Sequence, residues 1–328
     1  MATAADLASA RNRQVTTVTR SLIELIQRLW KDMSAASIEA DLEGEAGAAI
    51  VAAVAAGQMT VAQGAQAFVA GAMAEQAGTA IPEALLVAEA FAGIAPDGGP
   101  LETLLYLPAI GVQRRLSAGM APEQAMIGGL ADMARYTATA VVDTARSSVQ
   151  VAMAADRQCV AYTRVVTLPA CSRCIVLSGQ QYRYSEGFLR HPNCDCQTVP
   201  LREPEWGEVP TPQQLVERMT QAERRRVFTV AGAEAIDRGA DVGQVVNARR
   251  GMSMAHVHRR DLRVTSEGTT RRGLYGRQLR RTGGEFARTP GERYNRSTTP
   301  RLMPAEIFRV ADSRDEQLGL LRRYGYIV

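Results

Sequence analysis

The chain has 328 residues, of which 46% are hydrophobic, 22% charged and 5% aromatic. That length accommodates two or three domains with cores built mainly of Ala, Val, Leu, Ile and Met. The opening Met1-Ala-Thr-Ala-Ala-Asp6 lacks the basic and apolar regions of a secretory signal, and the longest apolar run, Ala48 to Ala56, is too short to span a bilayer. The expectation is therefore a soluble protein made inside a cell, with no membrane partner. In that reducing setting clustered cysteines serve metals more often than disulfides.

The net charge of +4 is unevenly spread. From Arg249 to Arg301 there are 14 Arg and 4 acids, a local net of +10; the totals of 38 basic and 34 acidic residues leave 24 and 30 elsewhere, a net of −6. Lys31 is the only lysine. Mutational bias in a GC-rich genome accounts for that, and it makes nearly every cation a planar fork suited to phosphate.

Residues 1 to 157 read as a helical domain. Val15, Val18, Leu22, Leu25, Ile26, Leu29 and Met33 follow the three-and-four rhythm of one buried helix face. Thr60-Val-Ala-Gln63 has the form of a capping box, Pro82, Pro100 and Pro122 suit first helical turns, and Gly57, Gly78, Gly93 and Gly119 suit helix ends. Ala121 to Asp156 predicts one long helix, weakened at Gly128-Gly129, with Met133, Thr137, Val141, Ala145, Val149 and Met153 recurring every four residues.

The pattern changes near residue 158. Val160 to Val166 is β-branched and aromatic and predicts a strand; Gln181–Tyr184 and Gln197–Val199 predict two more, with Pro200 and Pro204 marking the exit. A helical segment fills 206–250: one helix from Thr211-Pro212 to Phe228, then Ala231–Arg238 and Val242–Arg250, with Gly239 and Gly251 as stops. Residues 251–302, rich in Gly, Ser, Thr and Arg, show no sustained period and predict a long basic loop or arm. A helical segment closes the chain over 303–328, from Pro304 and from a capping box at Ser313-Arg-Asp-Glu316, with Leu318, Leu321 and Tyr324 as its stripe. The fold class is mainly α, in α+β form, with a small β-containing zinc-knuckle module over 158–205.

Within that module the run from Cys171 to Cys196 holds four of the five cysteines and one of the three histidines. Cys171-x-x-Cys174 is a knuckle that can place two thiolates on one tetrahedral metal, and His191-Pro-Asn-Cys194-Asp-Cys196 offers three more ligands. Zinc suits this thiolate-rich set. Five candidates exceed four positions: Cys171, Cys174 and Cys194 rank first, and His191 and Cys196 compete for the last place. Cys159 reads as a buried thiol. The plain alternatives are a pair of disulfides or unligated buried thiols; the Cys-x-x-Cys spacing is too tight for a stabilising disulfide loop, and the expected setting is reducing. A structural rather than catalytic zinc follows from the scarcity of His and carboxylate ligands.

Tyr162-Thr-Arg-Val-Val166, Cys171-Ser-Arg-Cys174-Ile-Val-Leu-Ser-Gly179, Glu186-Gly-Phe188 and His191-Pro-Asn-Cys194-Asp-Cys196 together resemble the Mu F-like (MuF) minor head proteins of tailed phages, in the branch found in phages of actinobacteria. Gly243 to Gly251, Arg301-Leu-Met-Pro304 and Leu321 to Tyr326 extend the likeness over about half the chain. The resemblance implies a minor capsid protein, assembled in the host cytoplasm and carried in few copies in the virion, inside the head near the portal. Its implied partners are the portal protein, the major capsid protein and packaged DNA, and its implied work is head assembly and DNA packaging or ejection.

Enzyme readings carry less. Ser253, His256, His258 and Asp261 lie within nine residues of one basic segment, whereas catalytic triads are assembled across a fold. No nucleophile elbow supports a capsid maturation protease, and no histidine-bearing ββα unit beside the knuckle supports a zinc-framed nuclease; a zinc-framed nucleic-acid-binding protein stays as an alternative. Gly268 to Gly284 matches no phosphate-loop pattern. The chain reads as non-enzymatic. Arg249, Arg250, Arg259, Arg260, Arg271, Arg272, Arg277, Arg280 and Arg281 are the candidates for sequence-independent contact with DNA phosphates. An acidic protein surface, or solvent alone, is the other reading of the same charge.

Overall fold

The computed structural model describes residues 3–77, 82–187, 194, 196–203, 209–257, 260–288 and 290–327. Its chain divides into two units, residues 1–169 with 178–209, and residues 170–177 with 210–328.

In the first unit the N-terminal rhythm is realised as α1 (Ala4–Trp30), opened by a capping box between Thr3 and Asp6. Then come α2 (Ile38–Glu43), α3 (Glu45–Gln63), α4 (Ala65–Ala77), α5 (Leu101–Ser117) and α6 (Pro122–Ala154). Val15, Leu22, Ile26 and Trp30 of α1 share a core with Ile50 and Val54 of α3, Leu105 and Val112 of α5 and Met133 and Val141 of α6. All six of the residues expected every fourth position along α6 are buried, because i and i+4 lie one above the other on a helix. Gly128-Gly129 does not weaken α6. A Cβ at Gly129 would stand 2.4 Å from Val112 Cγ2 and 2.9 Å from Trp30 Cζ2, so the missing side chain lets neighbours close in.

The same reason overturns two expected helix ends. Gly57 lies buried inside α3, where a Cβ would meet Leu22 Cδ1 at 2.6 Å. Thr60 is also interior; its hydroxyl donates to Ala56 O at 2.9 Å and caps nothing. Gly93 and Gly119 do carry the positive φ of helix-ending glycines, and Gly78 lies outside the described residues. Pro122 opens α6 and Pro100 is the cap residue of α5, but Pro82 opens no helix. Residues 45–76 are long and apolar enough to cross a membrane by length and composition, more than the run Ala48 to Ala56 conveys. Here Ile50, Val54, Val61, Phe68, Val69 and Met73 of that stretch are buried in the unit's two cores.

A three-stranded antiparallel sheet completes the unit: β1 (Ala161–Val165) runs between β2 (Gln181–Arg183) and β3 (Gln197–Leu201). Tyr162 stands opposite Tyr182 on one side, their rings stacked at 5.3 Å, and opposite Pro200 on the other. Pro200 is thus part of β3 and not an exit. Tyr162, Val165 and Val199 join Ala8 of α1, Phe68 of α4 and Val149 and Met153 of α6 in a second core, so the sheet has helices for its apolar partner.

The second unit begins with α7 (Ser172–Val176) and resumes with α8 (Pro212–Glu217), α9 (Gln221–Phe228), α10 (Val230–Asp237) and α11 (Val242–Ala248). The single helix expected up to Phe228 is two, because Thr220 and Glu223 form a second capping box after the first at Thr211 and Gln214. Residues 251–302 are not an irregular arm. They form the hairpin β4 (Met252–Val257) and β5 (Arg260–Thr265), the helix α12 (Leu274–Arg281), the short pair β6 (Phe286–Ala287) and β7 (Arg296–Ser297), and β8 (Arg301–Leu302), which pairs with β5. The alternation was present in β5, where Leu262 and Val264 are buried and Arg263 between them is exposed; the arginines mask it. Then follow α13 (Pro304–Val310) and α14 (Arg314–Arg323). Ser313 caps α14 through Glu316 N–H, while the Glu316 carboxylate takes Asp312 N–H, so the expected box is displaced by one residue.

Candidate metal centre

Backbone geometry presents the cysteines. The run before α7 is extended at Cys171, so its Sγ turns back and accepts the N–H of Cys174 at 3.4 Å, as an N-cap does. Cys174 sits in α7 and is buried; Cys171 is exposed. Cys194 and Cys196 precede β3, and both are buried. The Sγ atoms of Cys174, Cys194 and Cys196 all lie within 4.8 Å of one another. Thiolates on one tetrahedral zinc, with Zn–S of about 2.3 Å, would stand roughly 3.8 Å apart, so this donor set fits a metal ion. None of the five cysteines forms a disulfide. His191 lies outside the described residues. Cys159 stands apart: its thiol donates to Ala161 O at 3.3 Å, and burial pushes its pKa up to about 11.

Two arginines that sequence reasoning left unassigned support the site. Arg164 in β1 is 1% exposed, and its Nη2 donates to Cys194 Sγ at 3.4 Å and Cys196 Sγ at 3.3 Å. It brings a fixed positive charge to sulfurs that would bind a metal as thiolates, the kind of outer partner that orients ligands. Arg146 of α6 donates Nε to Cys196 O at 2.8 Å and Nη2 to Cys194 O, and pairs through Nη1 with Asp143 at 3.2 Å. It holds the backbone carbonyls of Cys194 and Cys196. The signal for Arg164 was a charged residue inside a β-branched strand; Arg146 had none, since only the fold brings α6 to those carbonyls.

The other candidates lie elsewhere. His256 and Asp261 face each other across the β4–β5 hairpin with Nδ1 and Oδ1 at 3.0 Å, both largely exposed, while Ser253 pairs with Val264. His258 and Arg259 lie outside the described residues. Arg249, Arg250, Arg260, Arg271, Arg272, Arg277, Arg280 and Arg281 are all exposed, Arg250 in an ion pair with Glu267.

Residues 112–222 match the family model described as VG15 protein, a viral and phage protein family. The match covers about a third of the chain, from the end of α5 into α9, and includes the whole cysteine cluster. It marks a phage-type protein and a phage context for the chain. No curated protein and no solved structure matches.

Proposed function

We propose that the chain is a minor head protein of a tailed phage, associated with the portal inside the head and aiding head assembly and DNA packaging or ejection. In this reading it is a structural part and not an enzyme. Cys174, Cys194 and Cys196, completed by Cys171 or His191, hold one structural zinc. The observation that carries the metal is the buried three-sulfur group beside Arg164. The head role draws support from the phage-type match over the same residues and from the likeness of the Cys-x-x-Cys and His-Pro-Asn-Cys-Asp-Cys runs to MuF proteins.

Zinc bound by such a set supplies a cross-link that forms only in the folded chain, so metal affinity adds to folding stability. The chain's own part is to bury three sulfurs, to offset their charge with Arg164 and to pin the carbonyls of Cys194 and Cys196 with Arg146. Purified protein should contain about one zinc per chain. Cys174→Ser should lose the metal and, at metal a thousandfold above Kd, about 4 kcal/mol of stability. Metal-free protein that keeps its fold in chelator would refute the zinc. Co-expressed with the portal protein of the same phage, the chain should co-purify with it. A uniform spread over the capsid lattice at hundreds of copies would refute the portal role.

A further inference from the structure

Part of the charge asymmetry of the sequence gathers, in the second unit, around one helix. α12 places Arg277, Arg280 and Arg281 at i, i+3 and i+4, which lie together on one side of a helix. Its other side is locked. Tyr275 is 1% exposed and its hydroxyl donates to Pro300 O at 3.3 Å, and a Cβ on Gly276 would stand 1.9 Å from Thr270 O. Gln278 donates to Arg322 O at 2.8 Å, and the rings of Tyr275 and Tyr324 lie 5.8 Å apart. Folding therefore brings Arg322 and Arg323, at the end of α14, beside the helix. Arg271 and Arg272 stand in the turn just before it.

All seven arginines are exposed. Among the described residues none of them is ion-paired to a carboxylate, whereas Arg250, Arg263 and Arg296 of the same unit each have a glutamate. Like charges held together repel unless a polyanion neutralises them. No large apolar side chain is exposed on α12 or between residues 271 and 288. A protein interface would centre on such an anchor; a phosphate backbone needs only charge and guanidinium forks. We infer that the face formed by Arg271, Arg272, Arg277, Arg280, Arg281, Arg322 and Arg323 binds the phosphates of duplex DNA irrespective of sequence. This inference is independent of the portal role and of the zinc.

The test is fluorescence anisotropy with the full chain and a labelled random-sequence duplex at several salt concentrations. If about five of the arginines meet phosphates, log K should fall against log salt with a slope near −4.5, roughly a 500-fold loss between 50 and 200 mM. Arg277→Ala/Arg280→Ala/Arg281→Ala should flatten the slope by up to about 2.7, and Arg322→Ala/Arg323→Ala by up to about 1.8, the upper limits if every removed arginine is among the five. Arg225→Ala/Arg226→Ala, on exposed residues of α9 and equal in charge loss to the Arg322/Arg323 variant, should leave it unchanged. The two patch variants are independent, so either one, checked by circular dichroism, suffices. Salt-independent binding, equal losses from the α9 control, or competition by polyglutamate as strong as by unlabelled duplex would overturn the inference, the last in favour of an acidic protein.

Discussion

The sheet of the first unit and the C-terminal core of the second each hold an arginine that is 1% exposed, and the two guanidiniums donate to different kinds of acceptor. Arg301 meets oxygen. It donates to Tyr324 O, Gly325 O, Glu267 O and Gln244 Oε1 at 2.8–3.2 Å, and its guanidinium lies 4.2 Å from the centre of the Tyr326 ring. Burial lowers its pKa, but the acceptors and rings come entirely from the chain itself. Arg164 meets sulfur, at Cys194 and Cys196. A thiol is a weak acceptor, whereas a metal-bound thiolate carries charge for a guanidinium to meet. A buried guanidinium tied to carbonyls thus reads as a fastener for a chain end; the same group on clustered thiols points to a ligand.

The largest expected effect breaks the oxygen-bound arginine. Arg301→Leu strands three backbone carbonyls and an amide, and should cost about 3–5 kcal/mol, seen as a lower midpoint in urea unfolding. Arg301→Lys should recover only part, because an ammonium cannot reach the same acceptors with one planar fork. A loss under about 1 kcal/mol would mean that water replaces the guanidinium there.

The second sharpens the sulfur side. Arg164→Met keeps the three thiols and removes their cation. Under the zinc reading it should weaken metal affinity about 10- to 100-fold, measured by competition with a chromophoric chelator. Unchanged affinity alongside reduced stability would reduce Arg164 to a packing role.

The smallest is a pH effect away from either arginine. Glu306 in α13 is 4% exposed and accepts Nε of Arg263 and of Arg309, each at 2.7 Å. Burial alone would raise its pKa; the two hydrogen bonds outweigh burial and hold it below the ordinary value. A carboxylate depressed in the folded state stabilises above its unfolded pKa, and that contribution fades as pH falls through the folded one. Glu306→Gln should cost about 1–2 kcal/mol at pH 7, modest because both arginines are half exposed. The gap from wild type should close as pH drops below the free carboxylate value of about 4.3. A gap that persists in acid would assign the loss to packing.

Local rules carried the reading a long way. Apolar recurrence every four residues predicted α6 to within two residues at either end, and β1 through β3 were legible as short β-branched or aromatic runs. Those signals survive because helix and strand periods are properties of neighbouring residues. Where the reading failed, a distant contact had decided. Gly57 and Gly129 look like breaks until Leu22, Val112 and Trp30 press on them. The segment 251–302 looks unstructured because arginine interrupts its apolar alternation, and its order rests on Tyr275, Tyr326 and the buried Arg301.

The sequence by itself determined that the chain is mainly helical, that four cysteines are gathered in one segment and that its positive charge lies late. Only the tertiary structure decided which sulfurs come within 4.8 Å, that Arg146 and Arg164 serve them, and that Arg322 and Arg323 stand beside α12. The reason is physical: spacing along a chain sets which residues share an element, but proximity between elements is set by the burial of side chains far apart in sequence.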